Sequence, residues 1–149
     1  MKTVLFLCTG NYYRSRFAEE LFNHRAPHAR INWKAQSRAL AIERGTNNIG
    51  SLSPLALWGL TTRGLSAKGT NRSPQQCVIH DLESADYIVA LNEAEHRPLM
   101  SERFPSWESR IRYWAIGDVE LVQPNNALAI IDLQVDALLA SFRDPQIAA

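Results

Sequence analysis

The sequence predicts an α/β fold in which helices cover both faces of a parallel sheet, and three observations carry that reading. Residues 3–7 (TVLFL) form a short unbroken apolar run, the pattern of a strand buried on both sides. From Ser15 onward, Phe17, Ala18, Leu21 and Phe22 recur at helical spacing, with Glu19, Glu20 and Asn23 on the other face. Strand and helix patterns then alternate to the end of the chain, and right-handed crossovers turn such an order into a parallel sheet.

Taken in order, Pro27 marks the end of the first helix, and residues 31–35 (INWKA) alternate as a second strand. Residues 44–53, rich in Gly, Asn and Ser, read as a loop. Ser53-Pro54 supplies a cap and first turn for a helix to about Leu60. The polar stretch 68–75 leads through residues 77–85 to 87–91 (YIVAL), the clearest central strand. Asn92 caps a helix to Met100 that Pro98 should interrupt or loosen. Residues 110–114 (RIRYW) make a fourth strand, and 126–142 a long helix on Leu128, Ile131, Val135, Leu138 and Leu139.

At 149 residues the chain suits one domain with one core, and 46% hydrophobic with 21% charged residues is an ordinary globular composition. A formal net charge of +1 gives no broad basic field for nucleic acid or an anionic membrane, so any anion site must be local. The two cysteines, Cys8 and Cys77, form neither a disulfide framework nor a zinc pattern, and fit a reducing compartment. His24, His28, His80 and His96 show no metal spacing, and no metal or cofactor is expected. No run reaches signal-peptide or membrane-spanning length, so a cytoplasmic, unanchored protein is expected.

The chemistry concentrates in residues 4–16, VLFLCTGNYYRSR, where a thiol stands between an apolar strand and a cationic helix start. In an α/β sheet, ligands bind beyond the carboxyl ends of the strands, where Cys8 lies. The residues from Cys8 to Arg14 suffice to curl around one tetrahedral oxyanion, with the backbone amides of Thr9, Gly10, Asn11, Tyr12 and Tyr13 turned inward and a helix dipole behind them. Gly10 and Asn11 tolerate the left-handed angles that such a nest requires. Arg14 supplies a planar fork for two oxygens, and Ser15 a hydrogen bond to sulfur. Cationic and amide surroundings favour the thiolate, which is the nucleophilic form. A bare Cys–Arg spacing is common by chance; the strand before it, Gly-Asn within it and the helix beyond favour the functional reading.

This loop and its flanks, VLFLCTGNYYRSRFAEELF, resemble the low-molecular-weight protein tyrosine phosphatase family, which includes thioredoxin-coupled arsenate reductases. Fainter echoes follow in Ala35-Gln36-Ser37, in residues 85–89 (ADYIV) and in residues 114–118 (WAIGD). The resemblance implies one domain over residues 1–149, a three-layer α/β/α fold with a four-stranded parallel sheet, and metal-free hydrolysis of a phosphorylated protein or small aryl phosphate. It implies that Cys8 attacks phosphorus, that Arg14 binds the phosphoryl group, and that Ser15 assists loss of the thiolate from a cysteinyl-phosphate. Asn11 and Ser37 would hold the loop in shape. A monomer or weak dimer is expected.

Three departures stand out. The Asp-Pro pair that family enzymes carry on the loop before the last helix is missing from that loop, residues 114–124, where the proline follows Gln123, a neutral amide. Asp118 and Glu120 are the carboxylates available as general acid; Asp118, just past the strand end, is preferred, against a capping or loop-fixing role for it. The cysteine that many relatives place before the loop arginine is Tyr13, so protection by a neighbouring disulfide is not expected. The proline usual after the loop serine is Arg16, read as a solvated first-turn residue or a widening of the positive field.

Tyr12 and Tyr13 offer aromatic walls, one of the pair with a binding role. His96 is expected at the surface; Arg72 lies in a polar loop that either approaches the anion site or, the preferred reading, stays at the surface; Trp58 and Trp107 are expected in core or edge packing. Two alternatives accompany hydrolysis: a non-hydrolytic phosphoanion- or phosphotyrosine-binding domain, and an arsenate reductase, which needs more thiols than Cys77 provides.

Overall fold

The computed structural model describes residues 1–118 and 122–143. Four strands, β1 (Lys2–Cys8), β2 (Trp33–Ala39), β3 (Tyr87–Ala90) and β4 (Arg112–Tyr113), form one parallel sheet in the order β2-β1-β3-β4. Five α-helices accompany them: α1 (Arg14–His28), α2 (Pro54–Thr61), α3 (Ile79–Ser84), α4 (Glu93–Arg103) and α5 (Pro124–Ser141).

The alternation of β1 builds the layers. Val4 and Phe6 join Phe17, Leu21 and Phe22 of α1, Ala56 and Leu60 of α2, and Leu128, Ile131 and Val135 of α5 in one core. Leu5 and Leu7 point the other way, against Leu82 of α3 and Leu99 and Met100 of α4. This is the expected three-layer α/β/α arrangement, since successive strand side chains face opposite sides. The order also places a switch point at the carboxyl end of β1, between the chain leaving for α1 and the chain leaving β3 for α4. Among the described residues no helix is long and apolar enough to cross a membrane.

Several boundaries differ from expectation. Pro27 lies within the last turn of α1, which closes on a 2.9 Å bond from the Ile31 amide to the Ala26 carbonyl with Arg30 at a left-handed φ of 57°. Strand β2 runs Trp33–Ala39 rather than 31–35, in register from Lys2↔Trp33 to Cys8↔Ala39. Its polar Gln36 and Ser37 hid it, yet Ser37 is buried beneath the β1–α1 loop. Pro98 sits inside α4 without ending it; the carbonyl it leaves without an amide belongs to exposed Ala94, while His96, Leu99 and Met100 anchor the opposite face. Strand β4 is shorter than 110–114, but the Trp114 and Ile116 amides still reach the Ala90 and Leu91 carbonyls at 2.9 Å. Those two bonds carry the chain along the end of β3 to Asp118.

Candidate active site

Cys8 ends β1 and Arg14 begins α1, so the intervening loop lies over the carboxyl end of the sheet. The first-turn amides of α1 have no partners within the helix and face back towards that loop. Cys8, Thr9, Gly10, Tyr12, Tyr13 and Arg14 line a cleft of about 430 Å³, and Asp118 closes it from the β4 side. Leu55, Pro54, Asn48 and the exposed Arg44 form its outer wall.

The sulfur has the neighbour the sequence assigned to it. Cys8 Sγ lies 2.9 Å from Ser15 Oγ, and Ser15 Oγ accepts a 3.0 Å hydrogen bond from Asn11 Nδ2. With that acceptor position used, the serine proton is available to the sulfur. Asn11 takes the left-handed φ of 52°, as expected, whereas Gly10 does not. Gly10 answers a different need: a Cβ there would meet Asn48 Nδ2 at 3.1 Å, so the missing side chain lets the 45–48 loop close over the site.

Asn11 is fully buried and its side chain turns away from the cleft into a support network. Its amide also donates to Ser37 Oγ at 2.8 Å, and its oxygen accepts from Arg72 Nη1 at 3.2 Å and the Gln75 amide at 3.1 Å. Ser37 donates to Glu19 and accepts from Arg72 Nη2 at 2.9 Å; Arg72 reaches Glu19 at 2.7 Å. Arg72 is therefore a brace rather than a surface residue. Arg16 is also buried, at 1% exposure, bonded to Glu19 at 2.5 Å and to the Gly69 carbonyl at 2.8 Å. It fastens the 66–72 segment to α1 and neither widens the field at the cleft mouth nor faces solvent.

A second group of polar residues lies on the α4 side. Arg14 is 2% exposed; its Nη1 donates to the Ile116 carbonyl at 2.9 Å and its Nη2 to Glu95 Oε2 at 2.7 Å. Burial opposes the guanidinium charge, but the Glu95 hydrogen bond and the anionic field of Cys8, Glu95 and Asp118 outweigh it and hold the pKa above its ordinary value. Thr9 Oγ1 also donates to Glu95 Oε2. His96, expected in solvent, is fully buried: its Nδ1 accepts from the Asn92 amide at 3.0 Å, and its Nε2 lies 3.1 Å from Glu95 Oε2 and 3.2 Å from Thr9 Oγ1. Burial pushes the imidazole pKa down, which with the Nδ1 acceptor role fixes a neutral ring carrying its proton on Nε2. Burial works against the Glu95 charge, yet its bonds from His96, Arg14 and Thr9 hold the carboxyl well below the usual carboxylate range.

The remaining candidates divide. Asp118 Oδ1 is 3.9 Å from Arg14 Nε, with its side chain 43% exposed to the cleft. Glu120 lies outside the described residues. Tyr12 forms a wall, its hydroxyl pinned to the Ile49 carbonyl at 2.6 Å. Tyr13 is 7% exposed and packs into the α1 core, its hydroxyl buried without a hydrogen-bond partner among the described residues. Burial and the Asp118 charge outweigh Arg14 and keep that phenol protonated. Cys77 is a free thiol buried in the other core, its pKa pushed up to about 12 by burial and then by Asp81. That is the opposite of a redox partner's setting. Trp107 packs against the same core, while Trp58 is 46% exposed on α2.

Sequence reasoning missed Glu95, His96 and Glu19 as parts of the site, and weighed Arg16 and Arg72 near the anion but preferred the surface for both. Charged residues on a helix, as Glu19, Glu95 and His96 are, read as a solvated face, and none of these lies within the loop motif itself.

The profile of the family described as low molecular weight phosphotyrosine protein phosphatase matches residues 3–118. No curated protein matches the chain. Among solved structures, the low molecular weight protein tyrosine phosphatase of Streptococcus pyogenes superposes with a TM-score of 0.81 at 19% identity, covering 99% of this chain and 97% of that one. YfkJ of Bacillus subtilis gives 0.79 at 26% identity, over 95% and 94% of the two chains. The low molecular weight protein tyrosine phosphatase of T. tengcongensis gives 0.77 at 20% identity, over 95% and 99%. With the family profile spanning most of the chain and an anion loop built around Cys8, the protein belongs to the low molecular weight phosphotyrosine protein phosphatase family and is a cysteine-dependent phosphatase.

Proposed function

We propose that the protein hydrolyses aryl phosphate monoesters, phosphotyrosine in proteins foremost, through a phosphate covalently held on Cys8. The carrying observation is the sulfur at the cleft floor, 2.9 Å from the Ser15 hydroxyl and beneath the buried Arg14. The phosphoryl group enters the ring of amides from Thr9 to Arg14, and the Arg14 guanidinium takes two of its oxygens. Cys8 Sγ attacks phosphorus in line as the bond to the aryl oxygen breaks. Asp118, protonated at this stage, gives its proton to that oxygen, so the phenol leaves neutral. Asp118, now a carboxylate, takes a proton from water as the water attacks the cysteinyl-phosphate. Ser15 donates its hydrogen bond to the departing thiolate, and phosphate is released.

The aryl preference rests on the walls. Tyr12 presents a ring fixed by its hydroxyl, with Pro54 and Leu55 nearby, and the cleft of about 430 Å³ is of small-ligand size. Tyrosine phosphatase is also what the names of the Streptococcus pyogenes and T. tengcongensis structures state of those proteins. The free thiols suit work in a reducing compartment, and we place the enzyme in the cytoplasm. Purified protein is expected to hydrolyse phenyl phosphate and a phosphotyrosyl peptide in excess chelator, and vanadate to compete with both. A folded protein that binds vanadate without turnover would instead support a phosphoanion-reading domain.

A further inference from the structure

The loop is held on two sides, and the α4 side has no counterpart in the sequence motif. Three donors converge on a single atom there: Arg14 Nη2 at 2.7 Å, the Thr9 hydroxyl, and the His96 ring edge at 3.1 Å all meet Glu95 Oε2. With Nη1 on the Ile116 carbonyl, the guanidinium plane is fixed at two corners, and Nε with the remaining N–H bonds is left for an oxyanion. His96 is neutral and fully buried, so Glu95 receives a hydrogen bond from it but no compensating charge. The carboxylate therefore does two separable things. It orients the phosphate-gripping cation, and it places a permanent negative charge directly behind that cation.

We propose that Glu95 is a positioning residue for Arg14 whose charge also weakens the hold on product phosphate. The inference rests on the phosphatase reading of the cleft. A dianion in the loop and Glu95 compete for the same guanidinium, so the bound phosphate feels less than a full positive charge. At the effective dielectric of a partly exposed site, a unit charge at this range changes anion affinity by about tenfold. Turnover gains because product leaves, while binding of substrate loses affinity that does not lower the barrier.

Two variants separate the roles. Glu95→Gln sets a neutral carbonyl oxygen where the three donors converge, and so keeps the orientation while removing the charge. Glu95→Ala removes both. Inorganic phosphate binding by isothermal titration, and kcat with an aryl phosphate, are measured for each beside wild type. Glu95→Gln is expected to bind phosphate about five- to tenfold more tightly than wild type. Glu95→Ala is expected to show a kcat about tenfold or more below that of Glu95→Gln, because the guanidinium has lost one fixed corner. A purely structural role would lower the stability of both and tighten phosphate binding in neither. Phosphate binding by Glu95→Gln equal to or weaker than wild type overturns the charge role, and equal kcat in the two variants overturns the positioning role. Should Glu95→Ala fail to fold, the Gln variant alone decides the charge role, and Glu95→Asp, too short to reach Arg14, takes over the kcat comparison. A wild type without turnover would sink the phosphatase reading itself, an outcome distinct from these.

Discussion

The floor of the cleft and the wall that carries Asp118 are built in opposite ways. On the floor, Cys8, Asn11, Arg14, Ser15 and Ser37 are buried and tied by side-chain hydrogen bonds into two braces, one through Arg72 and Glu19, the other through Glu95 and His96. The wall reaches Asp118 through backbone bonds from Trp114 and Ile116, and the carboxylate itself is 43% exposed. Phosphoryl capture needs donors set in advance around a fixed geometry. Proton delivery needs a group that meets differently placed leaving oxygens and exchanges protons with solvent. The contrast predicts that damage to the floor removes all activity, while damage to the wall removes only the part that depends on the leaving group.

The largest effect belongs to the floor. Cys8→Ala should abolish turnover of every ester while vanadate binding survives, measured by steady-state rates and competition. Arg14→Lys, which keeps the charge and loses the planar fork, should lower kcat by about 10²–10³. Next comes the wall: Asp118→Asn should lose about 10²–10⁴ in kcat on phenyl phosphate, and far less on an ester whose phenol needs no proton. Equal losses on both esters would contradict the acid role and leave Asp118 as a loop-fixing residue.

A smaller effect tests the brace. Asn11→Ala strains the left-handed φ of 52° and strips partners from Ser15, Ser37 and Arg72, so it should destabilise by about 2–4 kcal/mol in chemical denaturation. Asn11→Gly keeps the backbone angle and should recover roughly 1 kcal/mol of that loss. The smallest effect should be a gain. Tyr13→Phe removes a buried hydroxyl that has no hydrogen-bond partner among the described residues, so thermal unfolding should show stability unchanged or raised by about 1 kcal/mol. A marked fall in stability would mean that the hydroxyl is bonded in solution.

What the sequence revealed follows the same division. The thiol, the left-handed Asn11, the serine behind the sulfur and the cationic fork were legible because they lie within one short stretch whose chemistry is local. Ser37 and Asp118 were legible through resemblance and position at strand ends. The braces were not, because Glu19, Arg72 and the pair Glu95-His96 come from three separate places in the chain, and each alone reads as a polar residue facing solvent. Strand β2 was misplaced for a related reason: its polar Ser37 is buried as part of the site, so the strand lacks the apolar signature there. Pro27 and Pro98 misled because tertiary packing of α1 and α4 overrides the local preference against proline in a helix.

One measurement bears most directly on the account. Rapid mixing of Asp118→Asn with an activated aryl phosphate, quenched in acid and read by peptide mass spectrometry, looks for the covalent intermediate itself. A burst of phenol equal to the enzyme concentration, with phosphate on the peptide that contains Cys8, is the predicted result. Multiple turnovers with no burst and no phosphate on Cys8 would contradict it.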